Sequence, residues 1–218
     1  MESSKKAMAK ILTETPKIHI NDASKKYINE WVFRNLELTF QNSRYAIIGP
    51  NGSGKSTLLQ CLSGLVPISK GTIYYEINSK EVDVIDIYKH ISFVSPALEL
   101  IEEFTLHEIF EFHKNFKKLH FQTSAEFAEA IFLTKSLHKQ VKNFSSGMKQ
   151  RVKLGLAFFS DSSILLFDEP TTNLDENGCN WYASQCENIG LEKLVIVASN
   201  QKHEYEFCDA LINVLDFK

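Results

Sequence analysis

The chain has 218 residues, of which 44% are hydrophobic and 23% are charged, so it can bury the core of one large α/β domain or two small ones. Its formal net charge of −3 gives no support to a nucleic-acid-binding protein. No apolar run is long enough to cross a bilayer, and residues 1–17 contain no apolar segment of signal-peptide length. Four cysteines without CxxC spacing predict reduced thiols, as in a cytosolic protein.

The first predicted elements are β-strands. KIHI, from Lys17, and FRNLELTF, from Phe33, alternate in polarity as strands of an antiparallel sheet do. The turn QNSR then leads into YAII, an apolar strand that begins at Tyr45. GTIYYEI and VDVIDIYKHISFV predict further strands. The continuous apolarity of SILLFD, KLVIVAS and ALINVLD predicts parallel strands that are buried on both faces.

A glycine-rich run follows the strand YAII and precedes the helical pattern KSTLLQCLSGL. Its glycines permit positive φ and close approach by a ligand, and the N–H groups at a helix N-terminus bind phosphate. The spacing fits G-x-x-x-x-G-K-[ST], in which Lys55 reaches phosphate oxygens and Ser56 ligates Mg²⁺. The sequence therefore predicts a nucleoside triphosphate site. Its predicted residues are Gly49, Pro50, Asn51, Gly52, Ser53, Gly54, Lys55, Ser56 and Thr57.

The segment 97–142 has a helical pattern instead. The predicted buried face of its first helix consists of Leu106, Ile109, Phe110, Phe112, His113 and Phe116. Thr123 and Glu126 have the spacing of a capping box, which predicts that a second helix begins there. Seven phenylalanines lie between Phe104 and Phe132, and we expect most of them to pack the interior of this helical lobe.

Two later runs complete an ordered set of motifs: NFSSGMKQRVKLGLAFF, from Asn143, and SILLFDEPTTNLD, from Ser163. Five features follow one another along the chain: a phosphate loop, a helical lobe, an [LF]S-x-G signature, a strand ending in Asp-Glu-Pro and a Leu-Asp step. In this order they resemble the ATP-binding subunit of an ABC transporter over nearly the whole chain. The resemblance implies a P-loop NTPase fold of the ABC-ATPase type, with a RecA-like parallel core, an N-terminal antiparallel β part and an inserted helical lobe.

The resemblance also implies a division of the chain. We expect a single ABC ATPase domain over residues 1–218. Its α/β catalytic core would comprise residues 15–96 and 143–218, and its helical lobe residues 97–142. In this family a short helix of the membrane subunit docks beside the start of the lobe. The residues expected to line that groove are Leu98, Leu100, Ile101 and Phe104.

The Asp-Glu pair after SILLF carries the predicted hydrolytic chemistry. Asp168 ends an apolar strand, as an aspartate that holds Mg²⁺ together with Ser56 must. Glu169 follows directly, where it can polarise the water that attacks the γ-phosphate. The structural alternative for this pair is the first turn of a helix, which Pro170 would also suit.

The resemblance assigns further contacts. Tyr27 matches the aromatic residue that stacks on adenine, although an ordinary tyrosine at a strand end fits equally well. The signature motif, which would bind the γ-phosphate of ATP held by a second copy, consists of Ser145, Ser146, Gly147 and Met148. Ser146 replaces the usual first glycine and Met148 the usual glutamine. Leu174 and Asp175 match the D-loop, which bridges the two subunits.

At two positions the sequence departs from the family pattern. Pro96 stands where a glutamine senses Mg²⁺ and the attacking water, and Asn200 stands where a histidine contacts the γ-phosphate. Asparagine can donate a hydrogen bond but cannot carry a proton or a positive charge. Removing such contacts typically costs about 10²–10³ in rate, so we expect secure nucleotide binding and slow hydrolysis, with Lys55, Glu169 and Asn200 as the catalytic set.

The leading hypothesis is an ATPase subunit that uses ATP and Mg²⁺ and powers transport through separate transmembrane subunits. It would form an ATP-sandwich homodimer at the cytoplasmic face of the membrane. The compact length and the SSGMKQR variant resemble small export-type subunits, including the haem exporter. The alternative is a nucleotide-gated regulatory module with little turnover. DNA-repair or translation ATPases of the superfamily are disfavoured, because they need a coiled-coil insertion or tandem cassettes.

Overall fold

The computed structural model describes residues 15–41 and 43–218. Residues 1–14, on which the expectation about a signal peptide mainly falls, lie outside that range. The strands are β1 (Lys17–Tyr27), β2 (Glu30–Gln41), β3 (Arg44–Ile48), β4 (Lys70–Ile77), β5 (Lys80–Val82), β6 (Ile91–Val94), β7 (Ile164–Asp168), β8 (Leu194–Ala198) and β9 (Ala210–Asn213). The α-helices are α1 (Lys55–Leu62), α2 (Leu106–Lys114), α3 (Ser124–Ala130), α4 (Ser146–Phe158) and α5 (Glu176–Glu187).

The strands form two sheets. A parallel sheet has the order β6-β7-β8-β3-β9, and an antiparallel sheet has the order β2-β1-β4-β5. The predicted pairing of KIHI with FRNLELTF is confirmed, with Ile18 opposite Phe40 and Ile20 opposite Leu38. The prediction of parallel strands from continuous apolar runs is also confirmed, and the predicted burial on both faces holds for β7 and β8, in which every residue is buried. For ALINVLD the predicted burial is wrong, because β9 is an edge strand and its Leu211 is 61% exposed.

The strand β7 contributes to two hydrophobic clusters because its two faces are both covered. Leu165 and Phe167 pack in the cluster formed with the helical lobe, α4 and α5. Ile164 and Leu166 pack in the cluster formed with α1 and the antiparallel sheet. This two-sided burial explains why the sequence of β7 shows no polar alternation.

The passage VDVIDIYKHISFV is not a strand throughout, and that part of the prediction is wrong. Only its last residues form β6, and a short 3₁₀ turn, Ile87–Lys89, precedes them. Asp83 ends the strand pattern because its carboxylate accepts from the backbone N–H of Ile85 at 2.9 Å and its carbonyl accepts from Asp86 N at 2.9 Å. Such local bonds of aspartate compete with a sheet ladder.

The capping box predicted at the second helix of the lobe is confirmed, and the first helix begins with a capping box that was not predicted. Thr123 and Glu126 cap α3, and Thr105 and Glu108 cap α2. The predicted burial of Leu106, Ile109 and Phe110 is confirmed, at 0%, 4% and 0% exposure, and His113 is partly buried.

Two of the predicted buried positions in the lobe are wrong. Phe112 and Phe116 are 43% and 54% exposed. Phe112 lies about 200° around the helix from the buried Phe110. Phe116 lies beyond the end of α2, and its ring packs on that of Phe112 at 5.1 Å. Phe132 is also exposed, but four of the seven phenylalanines lie in or against the lobe core, which confirms that most of them pack the lobe: Phe104, Phe110, Phe121 and Phe127.

Candidate functional site

The carboxyl ends of three neighbouring parallel strands meet at one edge of the sheet. β8 lies between β3 and β7, so the loops after these strands lie side by side. Backbone bonds join them: Ser199 N donates to Ile47 O at 3.2 Å, and Glu169 N donates to Ala198 O at 2.9 Å. In open α/β sheets this edge is where ligands bind.

The glycine-rich loop after β3 adopts the backbone that the sequence predicts. Gly49, Gly52 and Gly54 all have positive φ, at 148°, 77° and 105°. A Cβ at Gly54 would lie 2.3 Å from Val32 Cγ1, and one at Gly49 would lie 2.8 Å from Ser53 Oγ. Side chains at these two positions would therefore collide with their surroundings, and the loop can close only with glycine there.

Lys55 lies at the start of α1 and is 5% exposed. Its Nζ donates to the carbonyls of Gly49 at 2.8 Å and Pro50 at 3.3 Å, so the loop curves around the ammonium group. Burial lowers the pKa of Lys55, and the carboxylates of Glu169 and Asp168 oppose that effect. The ammonium is thus held where an anion entering the loop would meet it.

A cleft of about 310 Å³ opens beside this loop. It is lined by Tyr27, Glu30, Trp31, Val32, Asn51, Gly52, Gly54, Lys55, Ser56, Thr57, Glu169 and Lys218. Tyr27 ends β1, is 47% exposed and lies below Lys25 Nζ, which is 4.8 Å from its ring centroid. Trp31 and Val32 come from β2 and were not predicted from the sequence, because no motif marks them.

Asp168 is held by two hydroxyl groups. Ser56 Oγ donates to its Oδ1 at 2.9 Å, and Ser95 Oγ donates to its Oδ2 at 3.1 Å. Asp168 is 3% exposed, and this burial raises its pKa, whereas the two hydroxyl bonds lower it. The structure therefore brings together the two predicted metal residues, and it adds Ser95, which sequence reasoning missed.

Glu169 follows β7 directly and lines the same cleft as Lys55. Its φ is +44°, an uncommon value for a non-glycine residue, which costs of order 1 kcal/mol and is frequent at active sites. The next helix, α5, begins only at Glu176. The alternative interpretation of Asp-Glu as a helix start is therefore wrong.

Asn200 lies at the carboxyl end of β8, next to the phosphate loop. Its Nδ2 donates to Asn51 Oδ1 at 2.6 Å, so the side chain contacts the phosphate loop, and its contact with the γ-phosphate stays a prediction. Pro96 follows Ser95 after the end of β6 and lines a separate surface with Lys149 and Asn173, and it is not among the residues that line the cleft above. The two departures from the family pattern thus differ in their surroundings.

A buried carboxylate that sequence reasoning also missed joins the loops after β7 and β8. Glu204 is 0% exposed and accepts from Thr171 N at 2.8 Å and from the hydroxyls of Thr171 and Ser199. Tyr182 OH donates to its carbonyl at 2.9 Å. These bonds fix the loop that contains Asn200 against the loop that follows Glu169.

The predicted signature residues form a second cleft at the N-terminus of α4. Its lining residues are Ser145, Ser146, Gly147, Met148, Arg151, Asn173, Leu174 and Asp175. Ser145 caps α4 by accepting from Met148 N at 3.2 Å. A Cβ at Gly147 would lie 2.8 Å from Asn173 O, so this glycine is required by close packing.

Asp175 joins the two elements of this second cleft. It caps α5 by accepting from Gly178 N at 2.8 Å, and it accepts from Arg151 of α4 at 2.8 Å. These bonds hold the pKa of Asp175 below its usual range, the bond from Gly178 having the larger effect. The structure therefore places the predicted D-loop beside the predicted signature motif.

The residues present fit a magnesium nucleotide. Ser53 Oγ is buried in the phosphate loop without a hydrogen-bond partner among residues 15–41 and 43–218, and a buried hydroxyl of this kind requires one. Ser56 and Asp168 offer the hard oxygen donors that Mg²⁺ prefers when phosphates and water complete its shell. Over the same described residues, no helix is long and apolar enough to cross a bilayer.

Comparisons with known proteins show which family the chain is similar to. A family model described as ABC transporter matches residues 33–172. An uncharacterized ABC transporter ATP-binding protein, YhcH of Bacillus subtilis, is 27% identical over 199 residues, which is 89% of this chain and 65% of YhcH. The linearmycin resistance ATP-binding protein LnrL of Bacillus subtilis is 27% identical over 212 residues, 91% of this chain and 66% of LnrL.

The chain thus spans slightly less than two thirds of the length of these two relatives. Among solved structures, a dimeric ATP-binding cassette in a post-hydrolysis state with ADP and Pi aligns with a TM-score of 0.77. It is 23% identical, and the alignment covers 90% of this chain and 93% of the cassette. At this identity the likeness concerns the fold.

Proposed function

Because the chain belongs to the ABC transporter family, we propose that it binds and hydrolyses ATP as the ATPase subunit of an ABC transporter. Separate transmembrane subunits would carry the substrate, and this subunit would lie peripherally at the cytoplasmic face of the membrane. The observation that carries the proposal is the convergence of Lys55, Glu169 and the Ser56–Asp168 pair at one edge of the parallel sheet. Residues 15–96 and 143–218 would form the catalytic core, and residues 97–142 the helical lobe.

The phosphate loop supplies the binding step. The N–H groups at the start of α1 and the ammonium of Lys55 would contact the β- and γ-phosphates, where the helix dipole also favours negative charge. Ser53 Oγ, which is buried and unpartnered within the described part of the chain, would donate to a phosphate oxygen. Tyr27 at the cleft mouth would stack on the adenine ring.

Glu169 would orient and deprotonate the attacking water, since it is partly exposed and lines the cleft opposite the glycine loop. Ser56 and Asp168 would hold Mg²⁺, which supplies charge neutralisation of the phosphates when bound. Asn200 would donate its amide to the γ-phosphate, contributing position without charge.

The cleft formed by the signature residues and the D-loop is the basis for proposing a second partner of this subunit. Ser145 and Gly147 stand at the N-terminus of α4, which has 13 residues and can bind an anion. We propose that this surface contacts ATP bound by another ABC ATPase subunit, which would be a second copy of this chain. The amino-acid composition of the chain gives no support to nucleic acid as a partner in this assembly.

The transmembrane subunit would dock beside the start of the helical lobe. Of the residues predicted there, Leu98 and Ile101 are each 37% exposed, whereas Leu100 and Phe104 pack partly against the lobe core. Leu98 and Ile101 are therefore the surface contributors that we propose. We do not extend the proposal to haem export, because the names of the relatives above concern linearmycin resistance or give no substrate.

A regulatory module with little turnover remains the second candidate, because Pro96 and Asn200 replace both γ-phosphate sensors. Phosphate release by the purified protein with MgATP separates the two functions. We expect slow but measurable release, below the order of 1 s⁻¹ that is common for enzymes. Complete absence of release would favour the regulatory module, and release at or above that rate would contradict the predicted slow hydrolysis.

The phosphate loop has its own test. Lys55→Ala should abolish the stabilisation by ATP in a thermal melt, because that stabilisation grows only with ligand bound to the folded state. Lys80→Ala removes an exposed lysine from β5 and serves as the matched control. Equal stabilisation of the two variants by ATP would contradict the assignment of the phosphate loop.

A further inference from the structure

A tight turn stands at the end of β6, where the family pattern has its glutamine. Leu98 N donates to Ser95 O at 3.2 Å, which closes a four-residue turn with Pro96 in its second position. Proline suits that position because its φ is fixed near −65°. Pro96 therefore changes the backbone conformation at this point, in addition to removing the amide side chain of the glutamine in the family pattern.

The turn fixes the hydroxyl of Ser95. Ala97 N donates to Ser95 Oγ at 3.3 Å, so the single hydroxyl proton remains available for donation elsewhere. That proton goes to Asp168 Oδ2, at 3.1 Å, in surroundings where Ser95 is 1% exposed. The other carboxylate oxygen, Oδ1, accepts from Ser56 at 2.9 Å.

A lysine of the signature helix secures the same turn. Lys153 of α4 donates its Nζ to Ser95 O at 3.1 Å and to Leu98 O at 3.3 Å. Both carbonyls that flank the turn are thus bonded by one ammonium group. The position of the Ser95 hydroxyl is therefore set by the turn, by Ala97 N–H and by α4 together.

We propose that Ser95 is a positioning residue for Mg²⁺, which it affects through Asp168. Its bond to Oδ2 fixes the rotation of the carboxylate and leaves Oδ1 directed toward Ser56, where the ion would be held. Ser95 thereby takes over, one residue earlier in the chain, part of the task that the glutamine replaced by Pro96 has in the family. The inference rests on the proposed ATP-binding function and deepens it.

A structural role alone would differ in its consequences. Ser95→Ala removes one oxygen from a buried site, and a hydroxyl that only satisfied the turn would affect stability and all ligands alike. Loss of a residue that orients a metal ligand typically weakens metal affinity about 10- to 100-fold. The metal dependence of binding therefore separates the two roles.

The experiment compares Mn²⁺ binding, followed by electron paramagnetic resonance in the presence of ATP, with binding of a fluorescent ATP analogue in EDTA. For Ser95→Ala we expect the Mn²⁺ concentration at half-saturation to rise about tenfold, with metal-free nucleotide binding unchanged. Ser95→Thr keeps the hydroxyl and should restore Mn²⁺ binding. Ser92→Ala is the matched control, since Ser92 is 5% exposed in β6, the strand that ends just before Ser95, and pairs with Ser162.

Unchanged Mn²⁺ binding in Ser95→Ala would overturn the inference, and so would an equal weakening of Mn²⁺ binding and metal-free nucleotide binding. Mn²⁺ binding that is weakened as much in Ser92→Ala would also overturn it. Failure of the parental protein to bind the fluorescent ATP analogue both in EDTA and with Mg²⁺ would instead contradict the proposed function. That result is distinguishable, because it appears before any substitution is made.

Discussion

Asn200 shows how a single residue can keep the place of a family residue while changing its chemistry. Its amide donates to Asn51 of the phosphate loop at 2.6 Å, so the side chain at the end of β8 contacts that loop. The buried Glu204 holds the same loop through Ser199 and Thr171. The side chain is therefore well placed, and what it lacks is a positive charge.

Restoring that charge should accelerate hydrolysis. For Asn200→His we expect kcat to rise about tenfold, because an imidazole with an ordinary pKa near 6.5 is partly protonated at neutral pH and can stabilise charge developing on the γ-phosphate. Asn188→His, at the exposed end of α5, is the control and should leave kcat unchanged. Steady-state phosphate release measures both, and a kcat for Asn200→His at or below the parental value would contradict the assigned role.

Pro96→Gln should help less than Asn200→His. A glutamine at this position would loosen the turn from Ser95 to Leu98, because it lacks the fixed φ that favours the turn. The gain from an added amide would thus be offset by poorer placement of Ser95. A larger increase in kcat for Pro96→Gln than for Asn200→His would contradict this account of the turn.

Motif spacing predicted some residues of the site and did not predict others. Lys55, Ser56, Asp168 and Glu169 follow directly from spacing, because each lies at the end of one strand or start of one helix. Ser95 and Glu204 could not be predicted in this way, since their roles depend on bonds to residues 73 and 33 positions apart in sequence. The only sequence signal near Ser95 was its neighbour Pro96, which stands where the family pattern has a glutamine.

At the scale of elements, helix α4 connects the signature cleft to the lobe core. Gly155 lies in its last turn, and a Cβ there would be 2.4 Å from Ile131 Cγ2 and 3.1 Å from Phe127. Alanine is favoured over glycine in a helix by up to about 1 kcal/mol, but overpacking costs about 1–3 kcal/mol. The second effect should dominate because Phe127 and Ile131 are both fully buried.

Gly155→Ala should therefore lower the free energy of unfolding by about 1–2 kcal/mol. Ser184→Ala, on the exposed side of α5, introduces alanine without a clash and should be neutral or slightly stabilising. Urea unfolding measures both variants. Stabilisation by Gly155→Ala would show that α4 does not pack tightly on the lobe.

The end of helix α2 contains a histidine that should make the lobe sensitive to acid. Burial lowers the pKa of His113 to about 4, with Lys117 adding to the effect, and its Nε2 lies 2.8 Å from Ser160 Oγ. The unfolded state therefore binds a proton near pH 6.5, whereas the folded state resists it until about pH 4. Stability is fully present above pH 6.5 and is lost as the pH falls toward 4.

His113→Gln removes this titration while keeping a side chain that can bond to Ser160. Between pH 7 and pH 5 we expect the parental protein to lose about 1–2 kcal/mol more unfolding free energy than the variant, after allowing for partial exposure of the histidine. His138→Gln is the control for a general loss of histidine. An identical pH dependence of the parental protein and His113→Gln would contradict the shifted pKa.

The elements themselves could be predicted where apolar pattern and burial agree. β7 and β8 are apolar throughout because both of their faces are covered. The prediction failed at residues 83–89, where the Asp83 side chain accepts from the backbone of Ile85, and at Phe112, where an exposed aromatic residue has the spacing of a core position. Pattern alone cannot tell such a surface aromatic residue from a buried one.

At the scale of the whole molecule, one chain carries two incomplete surfaces. The phosphate loop and Glu169 form one cleft, and the signature residues with Asp175 form another. Each offers half of the contacts expected around a bound ATP. The proposed ATP-sandwich dimer would complete both surfaces at once.

The most direct test of the proposed ATP-sandwich dimer is the mass of the Glu169→Gln variant with MgATP, determined by light scattering after gel filtration. Removing the charge of Glu169 should stop hydrolysis and weaken repulsion of the γ-phosphate, while ATP affinity is kept. We predict a stable ATP-bound species of about twice the 24.9 kDa of one chain, and a single-chain mass for the control Glu187→Gln once its ATP is hydrolysed. A monomeric Glu169→Gln that binds ATP, or one that hydrolyses it at the parental rate, would contradict the central claim.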